Sequence, residues 1–218
     1  MEDTTIEDVL KTVEALYAQK NYQEALKTLE ANQANVSPGI WHYNVGTVFG
    51  KMENLPLARY HLMMADWEGF NLQEVIVNKK LVETKLDIAK FEKANSASDY
   101  FVKGSIEASQ GILTTLSLIL VILGIVNMWK KSSYKMLAVL LTSALFVTGL
   151  NYWIQSWNKV IVITSQSIQE GPSVIFPTRD ELPVGVMLII SKKGEWFKIV
   201  YPSRFQGWIK NAGLKELK

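Results

Sequence analysis

Residues 108–129 read ASQGILTTLSLILVILGIVNMW and residues 136–158 read MLAVLLTSALFVTGLNYWIQSWN, and neither stretch contains a charged side chain. A helix rises about 1.5 Å per residue, so each stretch is long enough to cross the hydrocarbon core of a bilayer, which is about 30 Å thick. Aromatic side chains, which favour headgroup depth, flank the two stretches: Tyr100, Phe101, Trp129, Tyr134, Tyr152, Trp153 and Trp157. We predict transmembrane helices over residues 106–129 and 136–157. A pair of soluble helices buried on every face is disfavoured, because 218 residues supply no layer large enough to cover both.

The segment that connects the two stretches is basic. Lys130, Lys131 and Lys135 lie within residues 130–135. Short loops rich in lysine are retained in the cytoplasm, so we expect a cytoplasmic turn with both flanking domains on the opposite side of the membrane. Residues 1–20 show no charged-then-apolar signal-peptide pattern. Three explanations stay open: a start further upstream, a processed chain, or the inverted topology.

The net charge of +2 and the mean hydropathy of +0.07 are averages over unlike segments. Residues 1–107 hold 11 basic and 16 acidic side chains, which gives −5, and residues 159–218 hold 9 basic and 5 acidic, which gives +4. No segment is basic enough to predict nucleic-acid binding. The chain contains no cysteine, which excludes thiolate metal sites and thiol catalysis.

The N-terminal segment repeats itself, with a period typical of stacked helical hairpins. Shifting the sequence against itself by 33 residues pairs Leu16 with Phe49 and Ala25 with Ala58. Apolar residues within each unit fall at helical spacing and polar turns separate them, so each unit is predicted to be a helical hairpin. Small residues such as Gly46 predict a close approach of the two helices in a hairpin.

These hairpins form a predicted helical domain over residues 1–98, which a third helix over about Leu72–Asn95 would cap. Stacked hairpins bind extended peptides or helices on their concave face. The candidate partner-binding residues on that face are Tyr43, Asn44, Thr47, Lys51, Asn78 and Lys79. The alternative is that Asn44 and Asn78 lie on an ordinary solvated face.

The C-terminal segment, residues 159–218, changes to short apolar stretches separated by Gly and Pro turns. This pattern predicts strands over residues 160–163, 186–190, 196–200 and 207–210. Several strands in a segment this short indicate a small all-β barrel. We expect Trp196 and Trp208 mainly to close the barrel as core aromatics, and secondarily to offer a platform for a partner.

No constellation of catalytic residues stands out in the sequence. His42 and His61 are the only histidines, and they lie at non-ligand spacing. The sequence contains no nucleophile-elbow, phosphate-loop or zinc-protease motif. We therefore predict a protein that is not an enzyme and binds no metal or other cofactor.

Two parts of the chain resemble known domain families. The YNVG motif at residues 43–46, followed by Ala58 and Ala65, resembles the tetratricopeptide repeat. The GPS turn at residues 171–173 and the GWI motif at residues 207–209 resemble a bacterial SH3 domain. These resemblances imply a multidomain membrane protein with all-α tetratricopeptide-like hairpins, a two-helix transmembrane hairpin and a small all-β SH3-like barrel.

The order of these parts resembles the BatE-like proteins of the Bat (aerotolerance operon) family. That resemblance implies a bacterial inner-membrane protein with both soluble domains in the periplasm and residues 130–135 in the cytoplasm. It also implies von Willebrand A-domain Bat proteins as partners and, indirectly, a MoxR-type AAA+ ATPase. The expected function is a non-enzymatic, membrane-anchored scaffold that binds proteins through its repeats and its SH3-like domain. The alternatives are a cytoplasmic-facing adaptor, and a cell-wall-sensing or transporter-accessory protein that uses the SH3-like domain on peptidoglycan.

Overall fold

Two helical hairpins with matching geometry begin the chain, which is described by a computed structural model over residues 5–107, 110–129 and 134–217. The helices are α1 (Ile6–Ala18), α2 (Tyr22–Ala31), α3 (Pro38–Lys51) and α4 (Leu55–Trp67), with a short 3-10 helix at Gln33–Asn35. The Thr5 hydroxyl caps α1 by accepting a hydrogen bond from the Asp8 backbone N–H. Pro38 and Pro56 stand at the starts of α3 and α4, where a missing N–H costs nothing.

The same backbone turn closes both hairpins. Lys20 and Glu53, which occupy equivalent positions in the two repeats, both adopt left-handed conformations, with φ of 61° and 58°. The residue after each turn donates its backbone N–H to a carbonyl of the preceding helix, Asn21 to Leu16 at 2.9 Å and Asn54 to Phe49 at 3.0 Å. The backbone therefore repeats with the period predicted from sequence.

A third repeat begins with a full-length helix, but its second helix is only one turn long. Helix α5 (Gln73–Lys85) is followed by Asp87 in a left-handed conformation, with φ of 53°, and by the four-residue helix α6 (Ile88–Phe91). The predicted single helix over 72–95 is wrong beyond Lys85. Lys20, Glu53 and Asp87 are spaced at nearly equal intervals along the chain, and all three adopt left-handed conformations. The turn of the repeat therefore recurs at Asp87, where it changes the direction of the chain.

The small residues of the second hairpin permit the close approach predicted from sequence. A Cβ added at Gly46 would lie 3.0 Å from the Leu62 side chain and 3.2 Å from the Ala58 carbonyl oxygen. Ala58 and Leu62 are themselves fully buried. Helices α3 and α4 therefore touch backbone to backbone at this point.

The C-terminal segment forms one antiparallel sheet with an apolar core. Its strands are β1 (Asn158–Val162), β2 (Gln166–Gln169), β3 (Thr178–Leu182), β4 (Met187–Lys193), β5 (Trp196–Tyr201), β6 (Trp208–Lys210) and β7 (Leu214–Leu217), with a 3-10 helix at Ser203–Phe205. The strand order is β3-β2-β6-β5-β4-β1-β7. Buried residues from these strands, with Phe205, make the core: Val160, Val162, Ile168, Leu182, Leu188, Ile190, Phe197, Ile199 and Ile209.

The helical and sheet segments belong to one compact unit, made of Met1–Lys93 and Asn158–Lys218. Ile88 of α6 is buried within the core of the sheet, and Phe91 packs against that core. Helix α4 also contacts the sheet, where the buried Lys159 ammonium lies 4.7 Å from the centre of the Trp67 ring. Burial lowers the pKa of Lys159.

A buried arginine joins the two segments of this unit. Arg59 of α4 is 2% exposed, and it donates hydrogen bonds to Glu83 of α5, to Glu92 and to the backbone carbonyl of Gly185. Glu92 also accepts the backbone N–H of Met187, at the start of β4, at 2.7 Å. Burial alone would lower the pKa of Arg59, but the two carboxylates outweigh it and raise that pKa.

The second compact unit, Ala94–Trp157, contains the two candidate spans. It consists of α7 (Ala97–Glu107), α8 (Gln110–Trp129) and α9 (Tyr134–Gln155). Both α8 and α9 are long and apolar enough to cross a membrane, and only 11% of each apolar window is buried. This exposure contradicts the alternative of soluble helices buried on every face. Residues 108–109 and 130–133, the latter part of the predicted basic turn, lie outside the described residues.

Small and polar side chains line the contact between α8 and α9. The hydroxyls of Ser117 and Thr148 lie 2.7 Å apart, and the Asn151 amide donates to the Thr114 hydroxyl at 3.4 Å. Gly124 faces Leu137, where an added Cβ would be 3.5 Å away. Small residues and interhelical hydrogen bonds are the interactions that hold helices together in lipid. Helices α8 and α9 therefore pack antiparallel against each other through these contacts.

Replacing Arg59 with methionine should destabilise the compact unit in which Arg59 connects the helical segment to the sheet. The substitution leaves Glu83 and Glu92 without their buried cation, which costs about 3–5 kcal/mol of unfolding free energy. Lys85→Ala, which removes a solvent-exposed ion pair with Glu53, is the matched control and should cost less than about 1 kcal/mol. Thermal unfolding in detergent, followed by near-ultraviolet circular dichroism, measures both. Equal losses in the two variants would contradict the buried junction.

Candidate functional site

Alternate helices share one face of the helical segment, and this face carries the residues predicted to bind a partner. The Asn78 amide of α5 donates to the Thr47 hydroxyl of α3 at 3.5 Å. The Lys51 ammonium of α3 lies 5.9 Å from the centre of the Tyr17 ring of α1. We call this face the helical surface and define it as Tyr43, Asn44, Thr47, Lys51 and Asn78.

The polar groups of the helical surface are partly engaged within the fold. The Asn44 amide donates to the Ile40 carbonyl oxygen at 2.9 Å, and the ring of Tyr43 lies 5.6 Å from that of Phe70. Lys79, predicted to belong to the same face, forms an ion pair with Asp66 of α4. Lys79 is therefore committed to a contact within the fold, and Lys51 is the more exposed cation.

The two candidate tryptophans of the sheet lie outside its core. On β5, Phe197 and Ile199 are buried in the core, whereas Trp196 is half-buried and Lys198 and Val200 are exposed. Because side chains alternate along a strand, the tryptophan belongs to the outer face. Trp208 precedes the buried Ile209 on β6 and is likewise half-buried, so neither tryptophan takes the core position expected of it.

Lysines surround the two rings. Strand register pairs Trp196 with Lys210 and Lys198 with Trp208. The Lys210 ammonium lies 5.4 Å from the centre of the Trp196 ring, and the Lys193 ammonium lies 5.9 Å from the centre of the Trp208 ring. Both distances are within cation–π range. We call these two tryptophans and three lysines the Trp-Lys face.

The structure also brings the two histidines together, although their sequence spacing gave no sign of it. The Nδ1 atoms of His42 and His61 lie 3.0 Å apart, so one ring donates a hydrogen bond and the other accepts it. Trp41 and Phe49 pack against His61. Burial, the His42 ring and Lys215 together lower the pKa of His61 to about 3, and burial also lowers the pKa of His42. Both rings are neutral at pH 7.

An open cavity of about 570 Å³ lies beside His42, between α2 and α3. Its lining combines Trp41 and Val36 with the polar side chains of Glu30 and Gln33. Across residues 5–107, 110–129 and 134–217, no group of three or more His, Asp or Glu side chains is placed to hold a metal ion.

Comparisons of the chain with family models, with curated proteins and with solved structures find no match. The contacts described above are therefore the basis for assigning a function.

Two important groups were missed by sequence reasoning, for different reasons. Arg59 stands in the stretch LARYHLMMA, and a lone cation among apolar residues of a helix is a signal that a buried counter-charge exists. Nothing in the spacing of His42 and His61 indicates their contact, because it depends on how α3 and α4 pack. The position of Trp196 on the outer face of β5 was detectable from its alternation with Phe197.

Acidification should weaken the folded state through His61. Its pKa is about 3 when folded and about 6.5 when unfolded, so the unfolded chain takes up the proton first as the pH falls. The full contribution to stability is present above pH 6.5 and is lost between pH 6.5 and 3. Between pH 7 and 5 the loss is about 2 kcal/mol of unfolding free energy.

The variant His61→Phe keeps an aromatic ring in this position and removes the titrating group. Its unfolding free energy, measured by chemical denaturation in detergent, should depend less on pH over this interval than that of the wild-type chain. An unchanged slope would contradict the role of His61.

Proposed function

We propose that this protein is a non-enzymatic, membrane-anchored scaffold. A two-helix hairpin holds it in the bilayer, and a single folded unit on one side of the membrane presents the helical surface and the Trp-Lys face to partner proteins. The observation that carries the proposal is that this folded unit combines a segment before the hairpin, Met1–Lys93, with a segment after it, Asn158–Lys218.

The buried contacts of Arg59 support a shared compartment for the segments on either side of the hairpin. Glu92 precedes the hairpin in sequence and Gly185 follows it, yet Arg59 bonds to both. A chain that leaves this unit at residue 93 and returns at residue 158 must cross a bilayer an even number of times. Two spanning helices, α8 and α9, satisfy this requirement.

The helical segment is proposed to be a tetratricopeptide-like stack. In support, antiparallel hairpins recur with matching left-handed turns at Lys20 and Glu53, and Gly46 and Ala58 allow the close helix contact that such hairpins need. Helices α1, α3 and α5 contribute to one face, where a partner's extended segment or helix would dock.

The sheet is proposed to be SH3-like. Strands β4, β5 and β6 follow one another as antiparallel neighbours, and the first strand β1 pairs with the last strand β7. This connectivity, with β2 and β3 forming a hairpin, supports a small β-barrel of that class.

The partners proposed are von Willebrand A-domain Bat proteins, and indirectly a MoxR-type AAA+ ATPase, in a bacterial inner membrane. The order of helical repeats, hairpin and sheet supports a Bat-type complex. The three lysines at 130, 131 and 135 favour a cytoplasmic turn and hence a periplasmic folded unit.

Single-cysteine labelling tests the shared compartment and its identity. The chain has no native cysteine, so Ser37→Cys in the helical segment, Ser167→Cys on β2 and Ser133→Cys in the turn each report one position. In cells with a permeabilised outer membrane, an impermeant maleimide should label the first two and leave Ser133→Cys unlabelled until the inner membrane is opened. Labelling of Ser133→Cys alone would invert the topology, and opposite outcomes for Ser37→Cys and Ser167→Cys would contradict the single folded unit.

Co-purification tests the scaffold role. When the chain is co-expressed with a von Willebrand A-domain Bat protein, the wild type should retain it, and the double variant Asn44→Ala with Asn78→Ala should retain about tenfold less, because two hydrogen-bonding groups on the helical surface are lost. Lys27→Ala on α2, which removes an exposed cation away from that surface, should have no effect. Equal retention by all three would contradict docking on the helical surface.

A further inference from the structure

The loop between β2 and β3 presents an apolar tip to solvent. Val174 is 73% exposed, Ile175 is 89% exposed and Phe176 is 46% exposed. Three consecutive large apolar side chains in water are costly, since each square ångström of exposed apolar surface disfavours the exposed state by about 25 cal/mol. The tip therefore fits an apolar environment that the fold itself does not supply.

The loop is ordered by contacts within itself. The backbone N–H of Ser173 donates to the Gly171 carbonyl oxygen at 2.8 Å, and that of Glu170 donates to the Pro177 carbonyl oxygen at 3.1 Å. The Phe176 ring covers Gly171 so closely that a Cβ there would lie 2.6 Å from it. The tip is thus held in place before it meets a ligand, which reduces the entropy lost on binding.

The base of this loop adjoins the Trp-Lys face. Gln169, where β2 ends, pairs with Trp208 of β6, and the Arg179 guanidinium on β3 donates to the Gln206 carbonyl oxygen at 2.9 Å. The loop that carries the apolar tip therefore starts from the strand that pairs with Trp208, next to the two half-buried tryptophans and the three lysines. Apolar anchors, interfacial tryptophans and lysines in this combination are typical of surfaces that bind anionic membranes.

We infer that the loop tip inserts into the interface of an anionic bilayer while the lysines of the Trp-Lys face contact lipid headgroups. This inference rests on the proposed membrane anchor. Only Ser156 and Trp157 separate the end of α9 from β1, so the chain itself tethers the sheet at a bilayer surface. The most exposed side chains of the tip, Val174 and Ile175, are aliphatic and suit a fluid apolar phase. The positive charges of Lys193, Lys198 and Lys210 complement anionic headgroups.

Depth-dependent quenching of a single label tests the inference on the full-length chain. Val174→Cys carries an environment-sensitive fluorophore, and the protein is reconstituted in lipid nanodiscs that contain nitroxide-labelled lipid, in either zwitterionic or anionic mixtures. Ser37→Cys with the same label is the control. We expect blue-shifted, quenched emission from position 174 in anionic discs, weaker quenching in zwitterionic discs, and no quenching at position 37.

Two variants in the Val174→Cys background separate the contribution of the apolar tip from that of the lysines. Ile175→Asp should abolish quenching in both lipids, because it places a charge in the interface. Lys198→Glu with Lys210→Glu should lower the ratio of docked to undocked chains in anionic discs by about fivefold or more per lysine, and should have little effect in zwitterionic discs. Lys11→Glu with Lys27→Glu, on α1 and α2, should behave as the wild type.

The outcomes distinguish this inference from the proposed anchor. Incorporation into discs with an unquenched label at position 174 in both lipids would overturn the insertion of the loop and leave the anchor intact. Protection of the label only by added poly-glutamate, without lipid quenching, would overturn it in favour of an acidic protein partner. Release of the chain from the discs by an alkaline carbonate wash would overturn the anchor itself.

Discussion

The guanidinium of Arg59 is the contact on which the rest of the folded unit depends. It is buried against Glu83 and Glu92, and it also bonds to the carbonyl of Gly185, which lies far away in sequence, beyond both apolar helices. A buried charge is stable only when its counter-charges are held in place. Arg59 therefore requires the end of α5, the segment after α6 and the start of β4 to meet at one point.

The truncated third repeat makes this meeting possible. Its first helix stacks on the second hairpin, and its left-handed turn at Asp87 then places Ile88 inside the core of the sheet. A full second helix would instead continue the stack and keep the sheet separate. The result is one compact unit with the helical surface on one segment and the Trp-Lys face on the other.

Features set by local periodicity were predictable, and features set by distant contacts were not. The helical repeat, the two apolar helices and strands β1, β4, β5 and β6 follow from patterns within short windows of sequence. Strand β3, whose sequence TRDEL is mostly exposed, carries no apolar alternation and was missed, as were β2 and β7. Trp196 was assigned to the core because tryptophan is usually buried there, yet its position beside Phe197 places it on the opposite face.

The sequence by itself determined the elements: helical hairpins with their turns, a basic connection between two apolar spans, and a β-rich end. These depend on side chains a few residues apart, which interact before any tertiary structure exists. Only the tertiary structure decided that the two ends of the chain form one unit, that His42 meets His61, and that α6 completes the core of the sheet. Those outcomes depend on pairs of groups far apart in sequence, whose burial is favourable only when both partners arrive together, and no window of sequence contains that information.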